Sequence, residues 1–109
     1  MATQGTARHK PGADPAQVDP RHYKVEFEND RVRVLRITFG PHEKSVMHSH
    51  PDLIGILLSD HHSLHRFPDG RTEEMKGKTG DIQYLKACEH DPSNLSDKPL
   101  ESIAVELKK

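Results

Sequence analysis

From residue 23 onward the chain consists of short apolar or alternating segments, separated at close intervals by turn-forming residues. Such segments form β-strands, in which every second side chain points to the same face of the sheet. We find no stretch with the apolar spacing of an amphipathic helix. The sequence therefore predicts eight or nine short strands in an all-β sandwich or barrel of jelly-roll type.

The first two predicted strands form a hairpin, with alternating residues at 23–28 and a turn at 29–31. The second strand carries apolar residues of both parities, namely Val32 and Val34 on one and Leu35, Ile37 and Phe39 on the other. One pleat cannot bury both sets on a single face. Either a bulge lies near Val34, or the strand is covered on both sides. The run at 53–58 is also apolar enough to be buried on both faces.

Length and charge exclude several classes of protein. The 109 residues suit one domain with a modest core. The 16 basic and 17 acidic residues are interspersed, so we expect neither a nucleic-acid nor a membrane partner. Cys88 is the single cysteine, which excludes an internal disulfide. No apolar run approaches the roughly 18 residues of a membrane span and no secretion signal is recognised, so we expect a cytoplasmic protein.

The first twenty residues differ in composition and patterning from the rest. They contain three prolines, two glycines and four alanines, without a periodic apolar pattern. Such a composition is typical of a mobile segment. We therefore expect a flexible N-terminal arm at 1–20 and a β-barrel domain at 21–109.

His48 and His50 are the best candidates for metal ligands. They stand one residue apart in a predicted strand, so both side chains point to the same face. Two convergent imidazoles are a common start of a transition-metal site. The alternative is a surface pair, since the chain has nine histidines. The apolar run that follows at 53–58 favours a buried pair, and His90 is the best candidate for a third ligand.

The chain from about residue 19 onward resembles a small single-domain cupin. Cupins carry two motifs, a Gly followed by His-x-His and Glu, and a second Gly followed by Pro-x-Gly, His and Asn. His48 and His50 match the first motif; Gly80, His90 and Asn94 match the second. The resemblance implies a double-stranded β-helix barrel with one divalent metal held by His48, His50 and His90. It also implies a homodimer, and similar small cupins include one described as a β-alanine degradation protein.

The chain departs from the cupin motifs at several positions. The Glu ligand would fall at Ile54 or Gly55, neither of which binds metal through its side chain, and Lys86 and Cys88 replace the Pro and Gly of the second motif. His42 stands where the first motif has its Gly. The retained set of three neutral histidines is similar to that of cupin thiol dioxygenases and diketone-cleaving dioxygenases.

A site of three neutral ligands leaves the full charge of a divalent ion and open positions for a small polar or anionic substrate. The ligands favour iron, zinc, nickel, manganese or copper over calcium and magnesium. Dioxygenation, isomerisation, hydrolysis and decarboxylation all remain open, and so does the question of whether the protein is an enzyme. The alternatives are an accessory cupin that binds a metabolite without converting it, and a metal-free barrel in which the three histidines bond one another.

Other side chains are secondary candidates. His42 is a possible fourth ligand, and Asp52 shares the strand parity of the His pair. Either Gln83 or Tyr84 should face the cavity and bind substrate, because neighbours on a strand point to opposite faces. For the remaining residues we expect no part in the site: Cys88 is a small buried residue, Lys86 a surface lysine, and His61, His62 and His65 form a solvated face.

Overall fold

The computed structural model describes residues 12–109, which form nine β-strands and one short helix. The helix α1 spans Pro15–Val18. The strands are β1 Tyr23–Glu28, β2 Val32–Phe39, β3 His48–His50, β4 Leu53–Leu57, β5 His61–Arg66, β6 Thr72–Gly77, β7 Ile82–Leu85, β8 Cys88–Asn94 and β9 Leu100–Leu107.

The strands form two antiparallel sheets. A five-stranded sheet has the order β1-β2-β9-β4-β7, and a four-stranded sheet has the order β3-β8-β5-β6. Residues of both sheets line one internal cavity. The all-β jelly-roll architecture predicted from the sequence is confirmed.

The β1–β2 hairpin contains the predicted irregularity. The register shifts between Val25 and Phe27, which pair with Leu35 and Val34, so the extra residue lies on β1 opposite the predicted position. The bulge reverses the parity of β1. As a result Phe27 lies beside Val34 and is 53% exposed, whereas Tyr23, on the other side of the bulge, is buried in the core.

The hydrophobic core lies on the inner face of the five-stranded sheet. Its buried members are Tyr23, Leu35, Phe39, Leu53, Leu100 and Ala104. Leu35 is fully buried at the centre of this group. The core is small because part of the barrel interior is cavity and part holds polar side chains.

The N-terminal arm needs a correction over residues 12–20, while residues 1–11 lie outside the described part of the chain. Asp14 caps α1 by accepting a hydrogen bond from the Ala16 amide, and the Ser49 amide donates to the Ala13 carbonyl at 2.9 Å. Pro15 is fully buried. The segment therefore packs on the barrel, through polar contacts that an apolar pattern does not reveal.

The sequence analysis did not predict a strand at His90. Residues Cys88–Asn94 form β8, which pairs with β3 on one side and with β5 on the other. Pro92 argues against a strand at this position, because proline is rare in a strand with two neighbours. None of the helices within residues 12–109 is long and apolar enough to cross a membrane.

We expect Leu35→Ala to lower the free energy of unfolding by about 2–5 kcal/mol, because it leaves a cavity in a packed core. The control is Leu58→Ala, since Leu58 is 41% exposed and loses little packing. Urea denaturation of both variants measures the difference. Equal destabilisation by the two substitutions would contradict the assignment of Leu35 to the core.

Candidate metal centre

The pairing of β3 with β8 brings three histidines together. His48 lies directly opposite His90 in the antiparallel register, and His50 follows on the same face of β3. All three side chains are buried. Within the described residues these three form the one group of histidine, cysteine or acidic side chains positioned to hold a metal ion, with ligand atoms within 4.8 Å of one another.

The distances fit a common metal ion. The Nε2 atoms of His48 and His50 lie 3.1 Å apart. Two nitrogens bound to one ion at about 2.1 Å each, with an angle near 90°, are about 3 Å apart. The ring planes of His48 and His50 meet at 87°, and those of His48 and His90 at 83°. The rings thus approach one point from different directions rather than stacking.

Hydrogen bonds fix the outward-facing nitrogens of the first pair. His48 Nδ1 donates to the Val46 carbonyl at 2.7 Å, and His50 Nδ1 donates to Glu106 Oε2 at 2.7 Å. A proton on Nδ1 leaves a lone pair on Nε2. Metal-bound histidines usually show this arrangement, because the outer bond sets the tautomer and the ring orientation.

His90 completes the pattern. Its Nδ1 lies 3.1 Å from Nδ1 of His65, where one nitrogen donates and the other accepts. Its Nε2 is buried and finds no hydrogen-bond partner among residues 12–109. Buried polar atoms are nearly always paired, and an ion between the three rings would satisfy this one.

Burial keeps His48, His65 and His90 neutral. Loss of solvent, reinforced by neighbouring His50, lowers the pKa of His48 from 6.5 to about 4. Burial is also the main cause that lowers the pKa of His90 and, to about 4, that of His65. At neutral pH these rings keep the lone pairs that a metal needs.

The sequence analysis missed Glu106. The motif places a Glu ligand near Ile54 or Gly55, but the structure provides a buried carboxylate from β9 instead. Glu106 contacts Nδ1 of His50, on the side of the ring remote from His48. It therefore orients a candidate ligand rather than joining the cluster. The alternation of β9, which buries Leu100, Ser102, Ala104 and Glu106, is the signal that places it inside.

A cavity of about 120 Å³ adjoins His50 and His90. Its wall is mainly apolar, with Tyr23, Ile37, Phe39, Leu53, Leu57, Met75, Leu85, Leu100 and Ala104 among the lining residues. Polar groups include Ser63, Gln83 and Ser102. The charged side chain on the lining is that of Lys76, which is exposed to solvent.

Of the secondary candidates for metal or substrate binding, some line the cavity and others lie outside it. His42 is exposed, adopts a left-handed φ of 58° and donates its amide hydrogen to the Ser96 carbonyl, so it is not brought to the cluster. Gln83 lines the cavity. Tyr84 is 57% exposed on the outer face of the sheet, where its hydroxyl donates to Asp52. Asp52 also accepts from the Ala87 amide and is not a member of the histidine cluster.

Two motif residues have local roles. Asn94 is buried and bonds the Gly40 and Lys98 carbonyls and the Ser96 amide, so it fixes the loop after β8. Cys88 lines the cavity with Sγ 3.9 Å from His90 Nδ1, and burial raises the pKa of its thiol. The thiol is therefore protonated at neutral pH.

The interpretation of the second histidine cluster as a solvated face was wrong for two of its members. His61 and His65 line the cavity, whereas His62 faces outward and pairs with Glu74. His61, Ser63 and His65 share one strand parity, which is the signal that could have revealed an inward polar face. The charged residues on either side of this segment favoured the interpretation as a solvent-exposed face instead.

Comparison with protein-family models and with curated proteins gave no match. Solved structures gave clear matches. A cupin domain from Bordetella pertussis Tohama I aligns with a TM-score of 0.73 at 23% identity, over 93% of this chain and 98% of that chain. An uncharacterised double-stranded β-helix protein from Klebsiella pneumoniae aligns with a TM-score of 0.63 at 20% identity, over 78% of this chain and 74% of that one.

A third match is oxalate decarboxylase from Bacillus subtilis, an enzyme with Mn(II) centres. It aligns with a TM-score of 0.56 at 20% identity, over 72% of this chain but 22% of that longer chain. Identities this low establish the fold alone. The chain has the double-stranded β-helix fold of the cupins, with a buried histidine triad positioned to bind metal.

Proposed function

We propose that the protein binds one divalent transition-metal ion through Nε2 of His48, His50 and His90, and acts on a small molecule in the adjoining cavity. The observation that carries the proposal is the convergence of three buried rings whose outer nitrogens face other groups, while Nε2 of His90 has no partner in the part of the chain that the structure describes. A buried unpaired polar atom costs about 1–3 kcal/mol. Metal binding removes this cost, which favours a metal centre over a metal-free barrel.

The donor set favours iron, zinc, nickel, manganese or copper. Three neutral imidazoles suit these borderline ions, whereas calcium and magnesium prefer oxygen. When bound, such an ion supplies an uncompensated positive charge and open positions that polarise a substrate oxygen or lower the pKa of water. The Mn(II) centres of the B. subtilis decarboxylase support the use of a divalent metal by this fold.

The cavity indicates the substrate class. Its largely apolar wall, with Gln83 and Ser63 as hydrogen-bonding groups, suits a small molecule with one polar oxygen-bearing head and an apolar body. The lining residues carry no acidic side chain and one exposed basic one, Lys76, so the metal site itself would attract an anionic head. The apolar wall would also exclude bulk water from the reacting end.

Dioxygenation is the reaction that we propose for the iron-loaded protein, on the basis of the three-histidine ligand set. A cupin that binds a metabolite without converting it is the alternative. Oxygen consumption with small β-diketones or aminothiols as probes discriminates the two. Turnover that disappears on chelation and returns with one ion supports the enzyme, whereas tight binding without turnover supports the accessory role.

We propose that a second copy of the chain covers the outer face of the five-stranded sheet. One apolar row crosses all five strands, in the order Phe27, Val34, Val105, Ile54 and Tyr84. A second row contains Ile103, Ile56 and Ile82, of which Ile82 is 72% exposed. This face explains why β2 and β4 carry apolar residues of both parities.

Area and charge favour a second copy as the occupant. The strands lie about 4.8 Å apart and the longest spans about 27 Å, so the area of the face is roughly 600 Å². In an interface of standard size each partner contributes about 800 Å², which is similar. The second row continues through Arg36, which is already paired with Glu26 and Glu101, to the exposed Lys24. A face that is apolar over most of its area and carries charges of both signs is self-complementary about a twofold axis, with no need for an oppositely charged partner.

For the metal proposal, we expect about one metal ion per chain in tag-free protein, and a loss of more than tenfold in affinity in His48→Ala and in His90→Ala. Removing one of three ligands leaves an incomplete coordination shell. Elemental analysis and competition with a chelating indicator measure both quantities. The control is His62→Ala, because His62 faces outward. Equal metal content in all four proteins would contradict the proposed ligands.

We expect the metal-free protein to lose stability as the pH falls from about 6.5 to 4. The pKa of His48 is about 4 in the folded state against 6.5 when unfolded, so below 6.5 the unfolded chain binds more protons. One such ring costs about 2 kcal/mol of unfolding free energy between pH 6.5 and 5. Urea denaturation with EDTA present measures the dependence. His48→Gln should weaken it and His42→Asn should not; identical slopes in all three would refute the assignment.

For the dimer, light scattering should give twice the chain mass of 12.3 kDa. Ile82→Glu should convert the dimer into a monomer, because a twofold axis brings two buried carboxylates into one apolar interface. Leu95→Glu is the control, as Leu95 is exposed away from this sheet. A monomeric parent, or a dimer that survives Ile82→Glu, would show that this face is not the interface.

A further inference from the structure

We infer that residues 12–19 are a positioning element for the metal centre, and that Asp14 controls the metal affinity of His50 through Arg33 and Glu106. The inference rests on the proposed function. It concerns a segment that contains none of the histidine ligands and that composition alone would describe as a mobile arm.

The inner end of this connection is the contact between Glu106 and His50. Glu106 Oε2 accepts from His50 Nδ1 at 2.7 Å, and both side chains are 4% exposed. A carboxylate in this position holds the imidazole ring in place and makes Nε2 a stronger donor to a metal. The position and charge of Glu106 therefore influence the ligand.

Arg33 is the middle of the connection. It lies opposite Glu106 in the β2–β9 register, and its Nε donates to Glu106 Oε1 at 2.9 Å. Both carboxylate oxygens of Glu106 are thus occupied, one by His50 and the other by the guanidinium. If Arg33 moved closer, it would withdraw negative charge from the bond to His50; if it moved away, a buried carboxylate would lose its counter-charge.

Asp14 fixes the position of Arg33. Its two oxygens accept from the terminal guanidinium nitrogens at 2.8 and 3.1 Å, which is a two-pronged ion pair. The guanidinium of Arg33 also lowers the pKa of Asp14, so this carboxyl is ionised at neutral pH. Asp14 and Glu106 therefore hold Arg33 between them, and the three side chains together carry one negative charge toward His50.

Hydrogen bonds attach the backbone of residues 12–19 to β3, at the residue between His48 and His50. Ser49, between His48 and His50, makes two hydrogen bonds with this segment: its amide donates to the Ala13 carbonyl at 2.9 Å, and its Oγ accepts from the Gly12 amide at 2.6 Å. At the other end, Asp19 accepts from Ser45 Oγ, which lies 3.5 Å from His48 Nδ1. Residues 12–19 thus bond to Ser49 and Ser45, next to the two ligands, and their removal would affect the geometry of β3.

The test is Asp14→Asn. Asparagine is as good a helix cap as aspartate, so the substitution keeps α1 while removing the charge that holds Arg33. We expect the dissociation constant for Zn²⁺ or Co²⁺ to rise about three- to tenfold, less than the 10- to 100-fold typical of losing a direct partner such as Glu106. The visible absorption of the Co²⁺ protein should also change, because the donor strength of His50 changes.

Asp69→Asn is the matched control. Asp69 also pairs with an arginine, Arg71, but on the turn between β5 and β6 and outside the histidine cluster. Metal affinity and the Co²⁺ spectrum should stay unchanged in this variant. If Asp14→Asn lowers thermal stability but leaves affinity and spectrum as in the parent, the segment is structural only and the inference is overturned.

A double-mutant cycle identifies the route. In a Glu106→Gln background, Asp14→Asn should have less than half of its original effect on metal affinity, because the connection to His50 is already cut. Full additivity would overturn the route through Arg33 and Glu106. Failure of the parent protein to bind any of these ions would instead refute the proposed function itself, so the two outcomes are distinguishable.

Discussion

The pairing of β3 with β8 in one register is the constraint on which the candidate site depends. It sets His48 opposite His90, and the two-residue period of a strand then brings His50 to the same face. A slip of one residue would turn these side chains to the other face of the sheet. The Ser49 amide, on the edge of β3 remote from β8, donates to the Ala13 carbonyl, and Ser49 Oγ accepts from the Gly12 amide; both bonds help to hold β3 in place.

Once the rings are inside, burial determines their chemistry. The surroundings disfavour protonation of His48 and His90, so both remain neutral at physiological pH. Val46 and Glu106 accept from the outer nitrogens and direct the lone pairs of His48 and His50 inward. The arrangement is costly for a protein without metal, because one nitrogen of His90 has no partner among the described residues. Such a cost is expected where a site is preorganised for a ligand.

The sequence predicted what depends on local periodicity. Alternation and turns predicted the strands, the mixed parity of β2 predicted either a bulge or cover on both faces, and the spacing of His48 and His50 predicted their common face. His90 was chosen because it follows a short apolar run, and its match to the second cupin motif supported the choice, since nothing local joins it to β3. The sequence analysis did not identify Glu106, because β9 presents apolar residues outward and the sequence of its inner face therefore resembles a polar surface. The binding of residues 12–19 depends on single hydrogen bonds to distant residues, which leave no periodic pattern.

The central claim is that three rings share one ion. A crystal structure of the protein grown with Zn²⁺ or Mn²⁺, with data collected at the absorption edge of the metal, tests it most directly. The account predicts one anomalous peak per chain, within about 2.3 Å of Nε2 of His48, His50 and His90. A peak bound elsewhere, or a cluster without a peak at saturating metal, would contradict it.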